Sequence, residues 1–296
     1  MSASYLEANA RERIVQVLDA GSFTELLPPA QRVVSPHLGQ LDAPVSFDDG
    51  VVVGEGRLDG LHVMAAAQEG GFMGGAVGEV HGAKLVGLLQ RAIRKKADGV
   101  VLLVESGGVR LHEANAGLIA VSEVMRAVLE ARAAGIAVVV LVGGSNGCFG
   151  GMGIVARCAD AVIMSEEGRL AMSGPEVIET ANGVEEFDSR DRALVWRTTG
   201  GKHRYLIGDC QALVADDIDA FRGAAIQALR AAGPSALTLE GLAAEQAMLQ
   251  QRLERFGDAA DPQDIWRALG IAAPQDLAML EADAFVALVD PYRVRP

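Results

Sequence analysis

VVLLVESGG at Val100–Gly108 and IAVVVLVGGSNGCFGG at Ile136–Gly151 decide the fold of this 296-residue chain. Each begins as a short, β-branched, nearly non-alternating apolar run, the pattern of a strand covered on both faces. Each ends in glycines, which let the backbone turn sharply and leave its N–H groups uncovered. Between them Ala116–Ala134 carries Ile119, Val124, Val128 and Leu129 at helical spacing. The two runs are therefore expected as parallel neighbours joined by a right-handed helical crossover. Ligands of open α/β folds sit at the carboxyl ends of such strands. The expectation is a site built from backbone amides.

Outward from this pair, the chain reads as alternating strands and helices. Ala3–Ala20 has a helical face, and Pro28-Pro29 opens a wrapping segment. Val51–Gly56 and Leu61–Ala67 read as a hairpin around Leu58-Asp59-Gly60. Gln68–Gly82 (QEGGFMGGAVGEVHG) is too glycine-rich for regular structure, and a helix follows over Ala83–Lys96. Its basic end, Arg91, Arg94, Lys95 and Lys96, suits the helix dipole. Gly151–Cys158 is a short helix, and Asp160–Met164 and Arg169–Met172 are brief strands. Pro175 opens a helix after Gly174. Thr198–Arg204 (TTGGKHR) is expected as a basic glycine loop carrying Lys202 and Arg204, with a strand ending at Gln211–Leu213. Asp217–Leu229 and Thr238–Phe256 are helices on either side of a Gly233-Pro234 turn, and Asp276–Leu288 is a last helix. The fold class is layered α/β. The division expected is an N-terminal helix and wrapping segment (1–44), a core (45–215) and a helical C-terminal region (216–296).

Composition narrows the function. Half the residues are hydrophobic and the formal net charge is −13, which disfavours nonspecific nucleic-acid binding. Cys148, Cys158 and Cys210 form neither a disulfide framework nor a zinc site, and a reducing compartment, the cytoplasm, fits them. Charged residues at Glu7, Arg11, Glu12 and Arg13 break any signal peptide, and no apolar run reaches the length of a membrane span.

Glycine loops at two neighbouring strand ends suit a reaction that develops negative charge on a thioester oxygen. Two N–H donors aimed at that oxygen stabilise an enolate. The first donor is expected from Gly107 or Gly108, the second from Gly150 or Gly151 at a helix start. Neither GGFMGG nor GGSNGCFGG has the context of a dinucleotide fingerprint, and no GK[ST] marks a phosphate loop. Ser106 and Ser145 lack a nucleophile elbow. The histidines show no zinc-protease spacing. His81 beside the first glycine loop is a candidate for touching substrate or shaping the pocket. Glu105 is a candidate ion-pair partner of Arg110.

Further motifs carry a resemblance. GGFMGGAVGEVHGAKL at Gly70–Leu85, SGGVR at Ser106–Arg110 and GPEVIE at Gly174–Glu179 resemble the carboxyltransferase branch of the crotonase-like superfamily, as does RERIVQVLDAGSF at Arg11–Phe23. WRTTGGKHRY at Trp196–Tyr205 narrows the resemblance to the beta subunits of biotin-independent malonate decarboxylases. The superfamily's helix-start pattern matches Gly150–Asp160. It implies the second oxyanion donor at Gly151 and the first in Ser106–Gly108. Hydratase members carry a glutamate where this chain has Ile154, and their other glutamate corresponds to Glu176. One missing carboxylate argues against water addition. Decarboxylation makes the enolate without a general base.

The resemblance implies a crotonase-like fold of repeated ββα units. It also implies a malonyl thioester on the CoA-like prosthetic arm of an acyl-carrier protein, with no cofactor bound by this chain and no biotin. Gly74, Gly75, His81, Ser106, Gly144, Gly174 and Glu176 become candidate substrate contacts. Arg91, Arg94, Lys95, Lys96, Lys202 and Arg204 become candidate carrier-protein contacts. The implied partners are a homologous gamma subunit, the carrier protein and an acyl-carrier transferase subunit. The runner-up is the carboxyltransferase subunit of a biotin-dependent carboxylase or decarboxylase. A non-catalytic scaffold subunit is the third reading.

Overall fold

The structure, a computed structural model, describes residues 3–233 and 235–294. Pro234, and with it the expected Gly233-Pro234 turn, lies outside the described residues.

The chain opens with α1 (Ala10–Val17), shorter than the helical pattern suggested. Asn9 caps it, in a capping box with Glu12, which fixes the start by satisfying orphan amides. β1 (Thr24–Leu26) and α2 (Pro36–Gln40) follow within the wrapping segment. The expected hairpin is present as β2 (Val51–Leu58) and β3 (Leu61–Gln68). α3 (Glu79–Lys95) starts four residues before the expected Ala83. Gly82 is not a loop residue there: a Cβ on it would stand 2.6 Å from the Ala120 Cβ, so it lets α3 cross the next helix closely.

β4 (Gly99–Val104), α4 (Asn115–Ala133) and β5 (Ala137–Val142) form the central crossover, with β4 and β5 parallel and Leu102 paired to Val140. α5 (Gly151–Arg157) and β6 (Ala161–Ser165) come next. The strand expected at Arg169–Met172 is reduced to isolated bridges, Leu170 to Cys148 and Arg169 to Gly200. α6 (Pro175–Asn182) begins at Pro175 as expected.

The expected loop at Thr198–Arg204 is helical: α7 (Arg192–Thr199) and α8 (Gly201–Leu206) meet at Gly200. The glycine pair marks a kink. A Cβ on Gly201 would stand 2.2 Å from the Ser165 carbonyl oxygen, so the pair allows α8 to press against the end of β6. β7 (Ala212–Val214), α9 (Ile218–Ala231) and α10 (Leu239–Phe256) follow, with Thr238 capping α10. α11 (Pro262–Ala268), α12 (Pro274–Ala278) and α13 (Ala282–Val289) end the chain. The single helix expected over Asp276–Leu288 is thus split. The Lys202 ammonium takes the Ala278 carbonyl at 2.8 Å, satisfying a group that would otherwise continue the helix.

Among the described residues seven strands lie in sequence order, β1 to β3 antiparallel and β3 to β7 parallel. Alternate residues feed two cores. Val100, Leu102, Val138, Val140 and Val162 pack under α3 and α4. Val101, Leu103, Val139, Leu141 and Ile163 pack under α1 and α9, through Ile14, Phe221 and Leu229. Covered faces on both sides explain the unbroken apolar runs. α9 belongs to this body although it falls after residue 215, whereas α10 buries none of its residues.

Candidate active site

Past their last paired residues, β4 and β5 turn toward each other. Ser106 bridges Cys148, its N–H donating to the Gly147 carbonyl at 2.8 Å and its carbonyl accepting from Phe149 N–H at 2.9 Å. Val77 bridges Val109, so the glycine-rich segment after β3 joins the same tier. These bridges bring Gly74, Gly107, Gly108, Gly150 and Gly151 to one place. Gly108 and Gly150, with φ of +131° and +57°, face each other so closely that a Cβ on Gly150 would stand 3.0 Å from the Gly108 Cα. A side chain at Gly150 would press the loops apart, and one at Gly108 would strain its positive-φ backbone.

Hydrogen bonding separates the four candidate donors. The Gly107 N–H donates to the Gly74 carbonyl at 2.8 Å and the Gly150 N–H to the Met172 carbonyl at 3.0 Å. Both are committed to holding the loops. The Gly108 N–H donates to the hydroxyl of Ser106, two residues back, at 3.2 Å. Gly151 is the first residue of α5, where an N–H has no acceptor within the helix. Neither Gly108 nor Gly151 thus gives its N–H to a backbone carbonyl: that of Gly108 is held by a side-chain hydroxyl alone, and the two come one from each loop.

Several candidate substrate contacts sit behind the loops instead. Ser106 is fully buried. Gly144 is buried against Glu105: a Cβ there would stand 2.5 Å from that carboxylate. Gly75 is pressed in the same way against the Glu105 backbone. His81 is fully buried, with Nδ1 3.1 Å from the Asp49 carbonyl and Nε2 3.0 Å from the Gln68 amide nitrogen. Nδ1 therefore carries the proton and Nε2 accepts from Gln68. Burial, reinforced by the charge of Arg110, pushes the imidazole pKa down to about 3, so the ring stays neutral and structural. Gly174 and Glu176, by contrast, follow Met172 directly on the rim, and Glu176 is exposed in the first turn of α6.

The expected Glu105–Arg110 pair does not form. Arg110 is fully buried and pairs with Asp49 at 2.8 Å and Glu113 at 2.9 Å. Glu105 pairs with Arg13 of α1. Its other oxygen accepts from Ser145 Oγ at 3.0 Å and Asn146 N–H at 3.2 Å. Arg13, Asp49 and Gln68 were missed from sequence. The available signal was an acid and a base at the ends of apolar runs, positions that demand buried partners.

The candidate carrier contacts do not gather at the glycine loops. Arg94, Lys95 and Lys96 are exposed at the far end of α3, about 25 Å along the helix from Gly78. Arg91 is paired with Glu55. Lys202 is buried and holds Glu166 at 2.6 Å, beside a cavity of about 260 Å³ lined by Trp196, His203 and Trp266. Arg204 holds Asp209 at 2.9 Å. These two side chains are internal ties because α7 and α8 fold inward.

The rim of the glycine loops is apolar. Leu111, Leu118, Ile119, Met172 and Val177 are exposed, and Ile154 opens with Leu170 and Met172 on a cleft of about 390 Å³ whose other wall carries Arg157, Asp209, Glu245 and Arg252. Ile154 puts neither an acid nor a base one turn into α5. The three cysteines are free thiols, with burial pushing each upward in pKa. No group of side chains able to hold a metal ion occurs among the described residues, and none of their helices is long and apolar enough to cross a membrane.

Comparison with known proteins agrees with this geometry. The carboxyl transferase domain family matches residues 7–228. The chain belongs to the carboxyl transferase domain family. Among relatives, the malonyl-S-ACP:biotin-protein carboxyltransferase MADC of Malonomonas rubra is 42% identical over 96% of this chain and 95% of its own length. The acetyl-coenzyme A carboxylase carboxyl transferase subunit beta of Fusobacterium nucleatum is 32% identical over 59% of each chain. Among solved structures, a chain of the Pseudomonas malonate decarboxylase hetero-tetramer in complex with malonate has a TM-score of 0.81 at 40% identity, covering 90% of this chain and 97% of that one. A transcarboxylase 12S chain has a TM-score of 0.64 at 26% identity, covering 75% and 40%. The carboxyl transferase fold is thus the crotonase-like layered fold expected from the motifs.

Proposed function

We propose that this chain is the beta subunit of a malonate decarboxylase and removes CO2 from a malonyl group held as a thioester on an acyl-carrier protein. The observation that supports the reading is the close approach of the two glycine loops at Gly108 and Gly150, with the Gly108 and Gly151 amides held by no backbone carbonyl and Ile154 in place of an acid or base one turn into α5. The C–C bond to the carboxylate breaks and CO2 leaves. The electron pair stays on the α-carbon and is shared with the thioester oxygen as an enolate. The two amides stabilise that charge where it develops. Protonation at the α-carbon gives the acetyl thioester. Gly74 remains as a wall of the cleft, and Gly174 and Glu176 as rim contacts for the malonyl end.

The exposed Leu111, Leu118, Ile119, Met172 and Val177, which follow the Ser106–Gly108 loop or flank Gly174 in the chain, support a protein partner at this end of the sheet. The partner proposed is a homologous gamma subunit, with the site between the two chains. The carrier protein brings the substrate on a CoA-like arm, and an acyl-carrier transferase exchanges acetyl for malonate. No cofactor on this chain, and no biotin, enters the reaction. The test is CO2 release and acetyl-thioester formation from malonyl-thioester by the beta–gamma complex. Turnover is expected, and its absence from a folded complex would overturn the reading. The similarity to a biotin-protein carboxyltransferase favours a second reading, transfer of the carboxyl group to biotin. Turnover that requires a biotinylated carrier and is blocked by avidin would decide for it.

A further inference from the structure

The two donor loops come from different strands, and something must set their separation. Glu105 is placed to do so. It is the residue between the last of β4 and the Ser106–Gly108 loop, so its backbone belongs to the first donor loop. Its carboxylate grips the second loop through Ser145 Oγ at 3.0 Å and Asn146 N–H at 3.2 Å. Asn146 in turn donates to the Gly70 carbonyl at 2.7 Å, which ties in the glycine-rich segment after β3. Gly70 and Gly144 both pack against this carboxylate so closely that a Cβ on either would stand 2.5 Å from it. The other oxygen is held by Arg13 of α1, and the Glu105 N–H donates to Gln68 Oε1 at 3.2 Å. Glu105 is 5% exposed and is walled off by these loops.

We propose that Glu105 is a positioning residue for the reaction: its carboxylate, anchored by Arg13, fixes the loop after β5 against the loop after β4 and so sets the spacing of the Gly108 and Gly151 amides. The role rests on the oxyanion reading above. The acceptor oxygen is what the two loop donors require of residue 105. Arg13 compensates the charge and fixes it from the side opposite the loops. Donors preset for the transition state lower its energy more than that of the bound ground state, so loosening them acts on kcat rather than on KM.

The experiment uses the beta–gamma complex and compares two variants that are both uncharged at this clasp, R13M/E105Q and R13M/E105M. Gln retains an oxygen for Ser145 and Asn146, whereas Met of similar length retains none. The expected result is a kcat for R13M/E105M lower than that of R13M/E105Q by on the order of 100-fold, at similar KM, because small misplacements of reacting groups have effects of that size. A purely structural clasp predicts equal kcat in the two folded variants, and that result overturns the proposal. Should R13M/E105M fail to fold, Ser145→Ala removes one of the two grips at a half-open site. A fall in kcat at constant KM supports the proposal, and an unchanged kcat overturns it. The wild-type complex separates the two levels of inference. If it releases no CO2, the functional reading fails. If it turns over and the variants match each other, only the positioning role fails.

Discussion

The two ends of the parallel sheet are built of different material. At the ends of β4 and β5 the chain offers glycine and apolar side chains: Gly107, Gly108, Gly150 and Gly151 inside a rim of Leu111, Ile119, Ile154 and Met172. At the opposite end stand Arg94, Lys95, Lys96 and Asp98 in solvent, and an exposed Arg230–Asp59 pair. In a protein of net −13 the glycines of the two donor loops bear no charge, while Glu176 stands on the rim and Arg157, Arg204, Asp209, Glu245 and Arg252 line the adjoining cleft. The contrast is physical. An amide donor is worth most where no water or mobile ion competes for the developing charge. Behind the loops the charged groups are paired, Arg110 with Asp49 and Glu113, and Glu105 with Arg13.

The sharpest way to break this contrast is to unpair that hidden layer. Arg110 and both its carboxylate partners have no exposed side-chain surface, so Arg110→Met leaves Asp49 and Glu113 buried without a counter-charge. A loss of about 3–5 kcal/mol in unfolding free energy is expected, measured by denaturant titration. Next comes the donor itself. Proline is tolerated at the first position of a helix, so Gly151→Pro deletes one N–H while permitting α5. A Cβ at 151 would stand 2.6 Å from a Val121 methyl, so the variant is made with Val121→Ala. A fall in kcat of roughly 10²–10³ relative to Val121→Ala alone is expected from steady-state kinetics.

The neutral histidines provide a graded test. His81 and His203 are both depressed to about 3 by burial, from an ordinary value near 6.5. Below 6.5 the unfolded chain binds protons that the folded one refuses. The stability they contribute is therefore complete above about pH 6.5 and is lost as the pH falls toward 3. Thermal midpoints followed through that window should decline, and His81→Gln should flatten part of the slope. The smallest effect belongs to the far end of the sheet. Replacing Arg94, Lys95 and Lys96 together by Ala should move stability by no more than about 0.5 kcal/mol per site and leave KM for the carrier substrate unchanged. A large rise in KM would restore that helix end as the carrier dock.

How much could be read in advance depended on the range of the interaction. The strand pair, the intervening helix and the short helix at Gly151 were legible because each is written in a contiguous run of one period. The helix boundaries at Glu79 and at Gly200 were misread because Gly82 and Gly201 signal loops in isolation. Only the neighbours, Ala120 and the Ser165 carbonyl, turn them into packing contacts. The same holds at the site. Four glycines were equivalent as candidates until the Gly74 and Met172 carbonyls claimed the amides of Gly107 and Gly150. The basic residues Lys202 and Arg204 looked like surface charge and are internal ties.

The sequence by itself determined that two buried parallel strands end in glycine, that no carboxylate stands one turn after Gly151, and that no cysteine set could hold zinc. These depend on residue type and local spacing alone. The tertiary structure decided which amides remain available and which acid answers which base. Arg13 and Glu105 are 92 residues apart. Pairings over such separations are chosen by the packing of α1 and the strands around a common core, and nothing in the local chain encodes them.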